Sequence, residues 1–211
     1  MSNPKTKLCK GFKNIHFAPY KEKTFQAPTK IHYGKKIENK FKYESSTDWG
    51  DDMIVDDDFI YNGGDGNLEV LGLSAEEQIL LFGNNKAKGG VYVTDTDEAP
   101  VGAFLFERRK KQGHRRLYVV YCCKCTPTDI SAETIEDGKG NYETKNIEYS
   151  IGSIEKDGTN HIYFYIDTDA TDVNPTQIEN WYKSVQFPES ISKTGFNQVE
   201  AKVKLDKDLN K

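Results

Sequence analysis

The chain is poor in several features, and each shortage excludes something. Its 211 residues hold no apolar run approaching the roughly 18–20 residues of a membrane-crossing helix, and its start, MSNPKTKLCKGF, lacks the apolar core of a secretory leader. The expectation is a chain without a leader, made in a cytoplasm and with no membrane partner. Cysteine is scarce: three of the four crowd together at Cys122, Cys123 and Cys125, unlike the scattered spacing of a disulfide framework. Reduced thiols are expected. The G-x-S-x-G, P-loop, G-x-G-x-x-G and H-E-x-x-H signatures are missing. His16, His32, His114 and His161 stand singly, none with a Ser or Cys and an orienting carboxylate at a recognisable spacing. The chain is therefore expected not to be an enzyme and to carry no cofactor. Internal repeats and Pro- or Ser-rich linkers are missing too, which favours a single domain over residues 1–211.

What is present favours β structure. Twelve Tyr and eleven Phe stand against two Met. The formal net charge of -4 gives no overall basic field to draw the protein onto nucleic acid or an anionic membrane. Charge is segregated along the chain instead: residues 1–42 hold eleven lysines against only Glu22 and Glu38, whereas residues 43–75 hold nine acidic residues and no Lys or Arg.

The most informative stretch runs from Val101 to Cys125. In VGAFLFE, Val101, Ala103 and Leu105 fall on one side and Phe104 and Phe106 on the other. In RLYVVYCCKC, Leu117, Val119, Tyr121, Cys123 and Cys125 alternate against Tyr118, Val120 and Cys122. A hairpin apolar on both faces needs a cover on both, supplied by the other sheet of a sandwich plus a helix or by a neighbouring subunit.

Strands are expected over Lys10–Tyr20, Lys35–Glu44, Asn67–Leu73, Gly89–Thr94, Tyr142–Ile154 and His161–Asp167, the last two forming a hairpin pair across Asp157-Gly158. Residues 44–58 are expected as a polar loop leading into a possible second arm from Met53 to Tyr61, with Asn62-Gly63-Gly64-Asp65-Gly66 as a turn. Ser74 and Glu77 make a capping box for a short helix that Gly83 stops, and Asn174-Pro175 opens a C-terminal helix carrying Ile178, Trp181 and Tyr182. A lysine-rich N-terminal arm over about residues 1–10 and a polar, mobile tail over about 190–211 flank the domain. The fold class is mainly β: a β-sandwich or partly closed barrel of antiparallel strands, with one short flanking helix and a C-terminal helix.

Cys122-Cys123-Lys124-Cys125 invites zinc, but it lies on a strand with no second C-x-x-C pair, so buried core fillers fit better and no metal is expected. Asp167-x-Asp169-x-x-Asp172-x-Asn174 resembles a calcium loop without its central Gly or its twelfth-position Glu, so a loop ending in a helix cap fits better. Arg108, Arg109, Lys110, Lys111, Arg115 and Arg116 surround Gln112-Gly113 as a basic knob. It would suit phosphates or, better, an acidic protein surface or mere solvation, since no aromatic residues interleave with the charges.

Five blocks taken in order, GFKNIHFAPY, GNLEVLGLSAEEQILLFG, VGAFLFERR, RRLYVVYCCKC and DTDATDVNPTQIENWYKSVQ, resemble the major tail (tail tube) protein family of long-tailed bacteriophages, nearest to its phi13-type group, over about residues 10–187. The resemblance implies a structural virion protein in the phage tail, assembled in the host cytoplasm. Its partners would be itself, as hexameric rings stacked into a tube, and the tape-measure, tail-terminator and tail-initiation proteins. Double-stranded DNA would pass through without specific binding during ejection. Candidate subunit contacts are the acidic Asp48, Asp51, Asp52, Asp56, Asp57 and Asp58 and the basic Arg108, Arg109, Lys110 and Lys111. The alternatives are the tube subunit of a phage-derived toxin-delivery particle and, in a different class, a monomeric β-barrel that binds a small ligand.

Overall fold

The computed structural model of this protein describes residues 7–50, 53–130, 132 and 142–189. Thirteen strands and two helices follow in order among them: β1 Lys10–Lys21, β2 Thr24–Phe25, β3 Thr29–Lys30, β4 Gly34–Gly50, β5 Met53–Leu71, α1 Ala75–Phe82, β6 Asn85–Ala87, β7 Gly90–Tyr92, β8 Val101–Arg109, β9 Arg115–Cys125, β10 Thr144–Ile151, β11 Ile154–Lys156, β12 Thr159–His161, β13 Tyr163–Asp167 and α2 Pro175–Asn180. The main sheet has the order β2-β1-β8-β9-β10-β5-β4, with β3 added on β1 and β13 on β9, and every pairing is antiparallel. The architecture is a mainly β sandwich with short helices and no closed barrel.

Strand β9 is where one sheet becomes two layers. One edge pairs with β8 from Arg115 to Lys124. The other edge is shared: β13 occupies it over Arg116–Val120 and β10 over Cys123–Cys125. Between the two lies a bulge, where the register to β8 shifts between Gly102 and Phe104 and Cys122 adopts φ of 52°. The bulge reverses the side-chain alternation. Leu117, Val119 and Tyr121 point into one core, but Cys123 and Cys125, which simple alternation puts with them, point into the other.

Both faces of the Val101–Cys125 hairpin are thus covered within the chain, by a layer and a helical segment on each side. The first core gathers Phe104, Phe106, Val120 and Cys123 with Ile15, Phe17, Leu68, Val70, Ile147, Tyr149 and Ile151, closed by Leu81 and Phe82 of α1. The second gathers Ala103, Leu105, Leu117, Val119 and Tyr121 under Trp181, with Ile178, Tyr182 and Phe187 packed against it. Phe187 stacks on Tyr121 at 4.9 Å, and the Tyr121 hydroxyl donates to the Gln186 carbonyl at 2.5 Å. Of the two covers expected from sequence, the chain's own sandwich and helix are the ones found.

Both helices begin as their sequences require. Ser74 accepts from Glu77 N while Glu77 accepts from Ser74 N, and Gly83 closes α1 at φ of 71°, where a Cβ would lie 2.1 Å from the Glu98 carbonyl oxygen. The Asn174 side chain accepts from Thr176 N at 3.0 Å, with Pro175 opening α2.

Three expectations need correction. The expected polar loop of residues 44–58 is strand: Glu44–Gly50 is the distal part of β4 and pairs with β5, whose first part is the expected second arm from Met53 to Tyr61, with Asp51 and Asp52 outside the described residues. Asn62–Gly66 is not a turn but part of β5: Gly63 takes φ of 78° within the strand, and Gly66 leaves room for the Tyr149 ring, which a Cβ would approach to 2.0 Å. The Asp157-Gly158 corner joins β11 to β12, and the apolar β13 pairs with β9 rather than with β10. The expected C-terminal tail lies outside the described residues.

Candidate assembly surface

β4 has 17 residues and β5 has 19, far longer than the body they join. β10 supports β5 only from Gly64 to Leu71. Beyond that, among the described residues, Tyr43–Gly50 and Met53–Tyr61 pair only with each other, as a two-stranded ribbon of about 25–30 Å at the rise of an extended strand. Its base is fixed: the Tyr61 hydroxyl donates to the Ile151 carbonyl at 2.9 Å, Tyr43 meets Tyr61 edge-on, and Phe41 stacks on Tyr163 at 4.9 Å. Burial raises the Tyr61 pKa to about 12, so the donor stays protonated at any ordinary pH.

Further out the ribbon is apolar where it should be wet. Met53 is 68% exposed, Ile54 55%, Phe59 70% and Ile60 61%. Phe59 and Ile60 are consecutive, so alternation sends them to opposite faces of the ribbon. A two-stranded ribbon is marginal in water on its own, and in this one Asp48 stands in register with Asp56. Asp57 pairs with Thr47 and Asp58 with Ser46, and the Asp58 side chain is exposed. The acidic candidates Asp48, Asp56, Asp57 and Asp58 therefore lie along one projecting element.

The basic candidates do not form the knob expected of them. Lys110 is buried, its ammonium 2.5 Å from Asp169 and 3.2 Å from Asp167. Burial pulls the Lys110 pKa down, but the hydrogen bonds and charges of Asp169 and Asp167 outweigh it and leave it raised. Arg116 grips Asp167 through two 2.7 Å hydrogen bonds and lies 4.5 Å over the Tyr165 ring. Burial of Asp167 is likewise outweighed by Arg116 and Lys110, which hold its pKa below the usual carboxylate range. The Asp167–Asp169 pair is thus committed to these cations. Arg115 and Lys13 hold the fully buried Glu107 at 3.0 and 3.1 Å, and the Tyr182 hydroxyl donates to the same carboxylate at 3.2 Å. Arg108 donates to the Cys9 carbonyl. Only Arg109 and Lys111, of the four named candidates, present exposed side chains.

The cysteines behave as packing groups. Cys123 and Cys125 are buried and Cys122 half-buried, and burial raises all three thiol pKa values, Cys125 to about 12. Among the described residues no three His, Cys, Asp or Glu side chains gather to hold a metal ion, and no helix is long and apolar enough to cross a membrane.

The sequence signal for one half of the ribbon is the alternation Met53, Val55 and Phe59 against Ile54 and Ile60, which the expected second arm reflects; the other half, Glu44–Gly50, reads as loop because of its Ser, Thr and Asp. The Lys110–Asp167–Arg116 network joins residues over fifty positions apart and has no local signal.

No protein-family model matches the chain, and no curated protein matches it in sequence. Among solved structures it is similar to a chain from the "Cryo-EM structure of the anti-feeding prophage (AFP) baseplate, 6-fold symmetrised", with a TM-score of 0.41 and 9% identity over 81% of this chain and 100% of that one.

Proposed function

We propose that this chain is a tail-tube subunit, a non-enzymatic structural protein whose copies form hexameric rings stacked into a hollow conduit for an ejected genome. The observation that carries the reading is the ribbon: with exposed apolar residues on both faces, acidic residues along its length and, beyond its base, no other strand pairing with it among the described residues, it is suited to be covered by other copies. The resemblance of the five sequence blocks to the tail-tube family supplies the kind of assembly. Of the four basic candidates, Arg109 and Lys111 are the exposed ones that could meet the ribbon's carboxylates.

A wall suited to passing DNA is at hand on the outer face of β4, β5 and β10. Three cross-strand rows lie there: Lys36, Glu69 and Asn146; Glu38, Asn67 and Glu148; Lys40, Asp65 and Ser150. The rows hold four carboxylates and two lysines, Lys35 and Lys42 reach in to pair with Glu69 at 2.6 Å and Asp65 at 2.5 Å, and no large apolar side chain interrupts the rows. Such a surface, with its charges paired among themselves, offers phosphates no net basic field and bases nothing to stack on, so a duplex would slide without being held.

Negative-stain microscopy of the purified protein at raised concentration tests the reading. Rings or tubes with a central hole are the expected result. Particles that stay monomeric by light scattering after long incubation with tail-initiation components would overturn it in favour of a monomeric binder.

A further inference from the structure

Within the body, a groove of about 570 Å³ is lined by residues of β1, β4, β8, β9 and β13, a size at which small molecules are held. Five of the described residues that line it are aromatic. Phe106 and Tyr118 stack at 4.9 Å with their planes 8° apart, Phe12 meets Phe106 edge-on, and Phe41 stacks on Tyr163 at 4.9 Å. Gly34 admits the Phe12 ring over β4, where a Cβ would meet it at 3.0 Å. A groove walled by flat rings suits one more flat ring, set against them by offset stacking or edge contact.

The charges around the groove do not balance. Lys35, Lys36 and Arg108 line it, and the two lysines are answered, Lys35 by Glu69 at 2.6 Å and Lys36 by Glu38 at 2.9 Å. Arg108 is not. It is half-buried, and among the described residues its guanidinium donates one hydrogen bond, 3.3 Å to the Cys9 carbonyl, and meets no carboxylate. The arginine opposite it in register shows the difference, because Arg116 is answered by both oxygens of Asp167. A guanidinium is a planar fork of five N–H donors that matches a carboxylate. Holding one partly out of water without a counter-charge costs free energy that an incoming anion recovers.

We infer that this groove binds a small aromatic carboxylate, with its ring against Phe106 and Tyr118 and its carboxylate paired with the Arg108 fork. The spacing agrees. Phe106 and Arg108 are two residues apart on β8, so they share one face of the strand about 6–7 Å apart, which sets an apolar ring beside a charge as such a ligand does. The inference does not rest on the tube reading, since it concerns the single subunit and not its contacts with other copies.

Equilibrium dialysis of the full-length protein against naphthalene-2-carboxylate, with the neutral naphthalene-2-carboxamide as a control of the same shape, decides it. Saturable binding at one site per chain is expected, with the carboxylate held at least about tenfold more tightly than the amide. Arg108→Gln should bring the two to equal affinity. Arg108→Lys, which keeps the charge but loses the fork, should retain part of the preference. The inference is overturned if the carboxylate shows no saturable binding, if the unaltered protein binds carboxylate and amide equally, or if the preference survives Arg108→Gln.

Discussion

At the scale of single residues, the bulge at Cys122 decides which core each half of β9 serves. Its φ of 52° is a left-handed conformation that suits Gly and is strained for branched side chains. Cys122→Val should therefore cost about 1–2 kcal/mol in chemical denaturation. Cys122→Gly should stay within about 0.5–1 kcal/mol of the parent, trading lost packing for relieved strain. Equal losses from the two would mean that the backbone at this position is not under constraint. His16 offers a second test. It is half-buried against Tyr182 at 4.4 Å, and burial, with Lys30 adding to it, lowers its pKa against the opposing Asn14 carbonyl and Glu107. Because the folded pKa lies below the unfolded one, the stability it contributes is present above about pH 6.5 and drains away as pH falls through the folded value. The melting temperature should drop between pH 7.5 and 5.5, and drop less in His16→Gln. Asp167, also lowered, loses its contribution only below the carboxylate range, outside that window. Sequence alternation assigned Ala103, Phe104, Leu105 and Phe106 correctly to their two faces but misplaced Cys123 and Cys125, because nothing in the letters CCKC announces a positive φ.

At the scale of elements, the capped helices and the central hairpin were legible because their signals are local: a capping box, a Pro at the first turn, two-sided apolar arms. The ribbon was legible in part: Met53–Tyr61 reads as an arm and is one, but in Glu44–Gly50 the Ser, Thr, Asp and Gly imitate a loop and the pairing that overrides them is tertiary. The five-residue run from Asn62 to Gly66 makes the same point. Its glycines serve close packing: Gly64 lies against the Lys40 carbonyl and Gly66 under the Tyr149 ring. Gly66→Ala should destabilise by about 1–3 kcal/mol through overpacking, with partial recovery when Tyr149 is also changed to Leu. A melting curve unchanged by Gly66→Ala would contradict the close approach. On the ribbon itself, changing Phe59 and Ile60 together to Ser should leave the melting temperature of the body nearly as it was, because neither side chain belongs to either core. The same change should abolish growth of light scattering at high concentration. If assembly proceeds normally in that variant, the ribbon is not the contact.

At the scale of the whole molecule, the sheet order places neighbours far apart in the chain. β1 docks on β8 with His16 opposite Leu105, so the pairing that completes the body must wait until nearly ninety intervening residues have been gathered in. Closing so long a loop is entropically slow, and folds dominated by such pairings form in milliseconds to seconds. β4 and β5, by contrast, are consecutive in the chain and zip together locally, on the microsecond scale of a hairpin. The newly made chain therefore presents Met53, Ile54, Phe59 and Ile60 well before it possesses a finished core. On the proposed assembly role, the adhesive part of each molecule would precede the part that gives it shape, and the rate of synthesis would set a race between orderly growth and tangled precipitation.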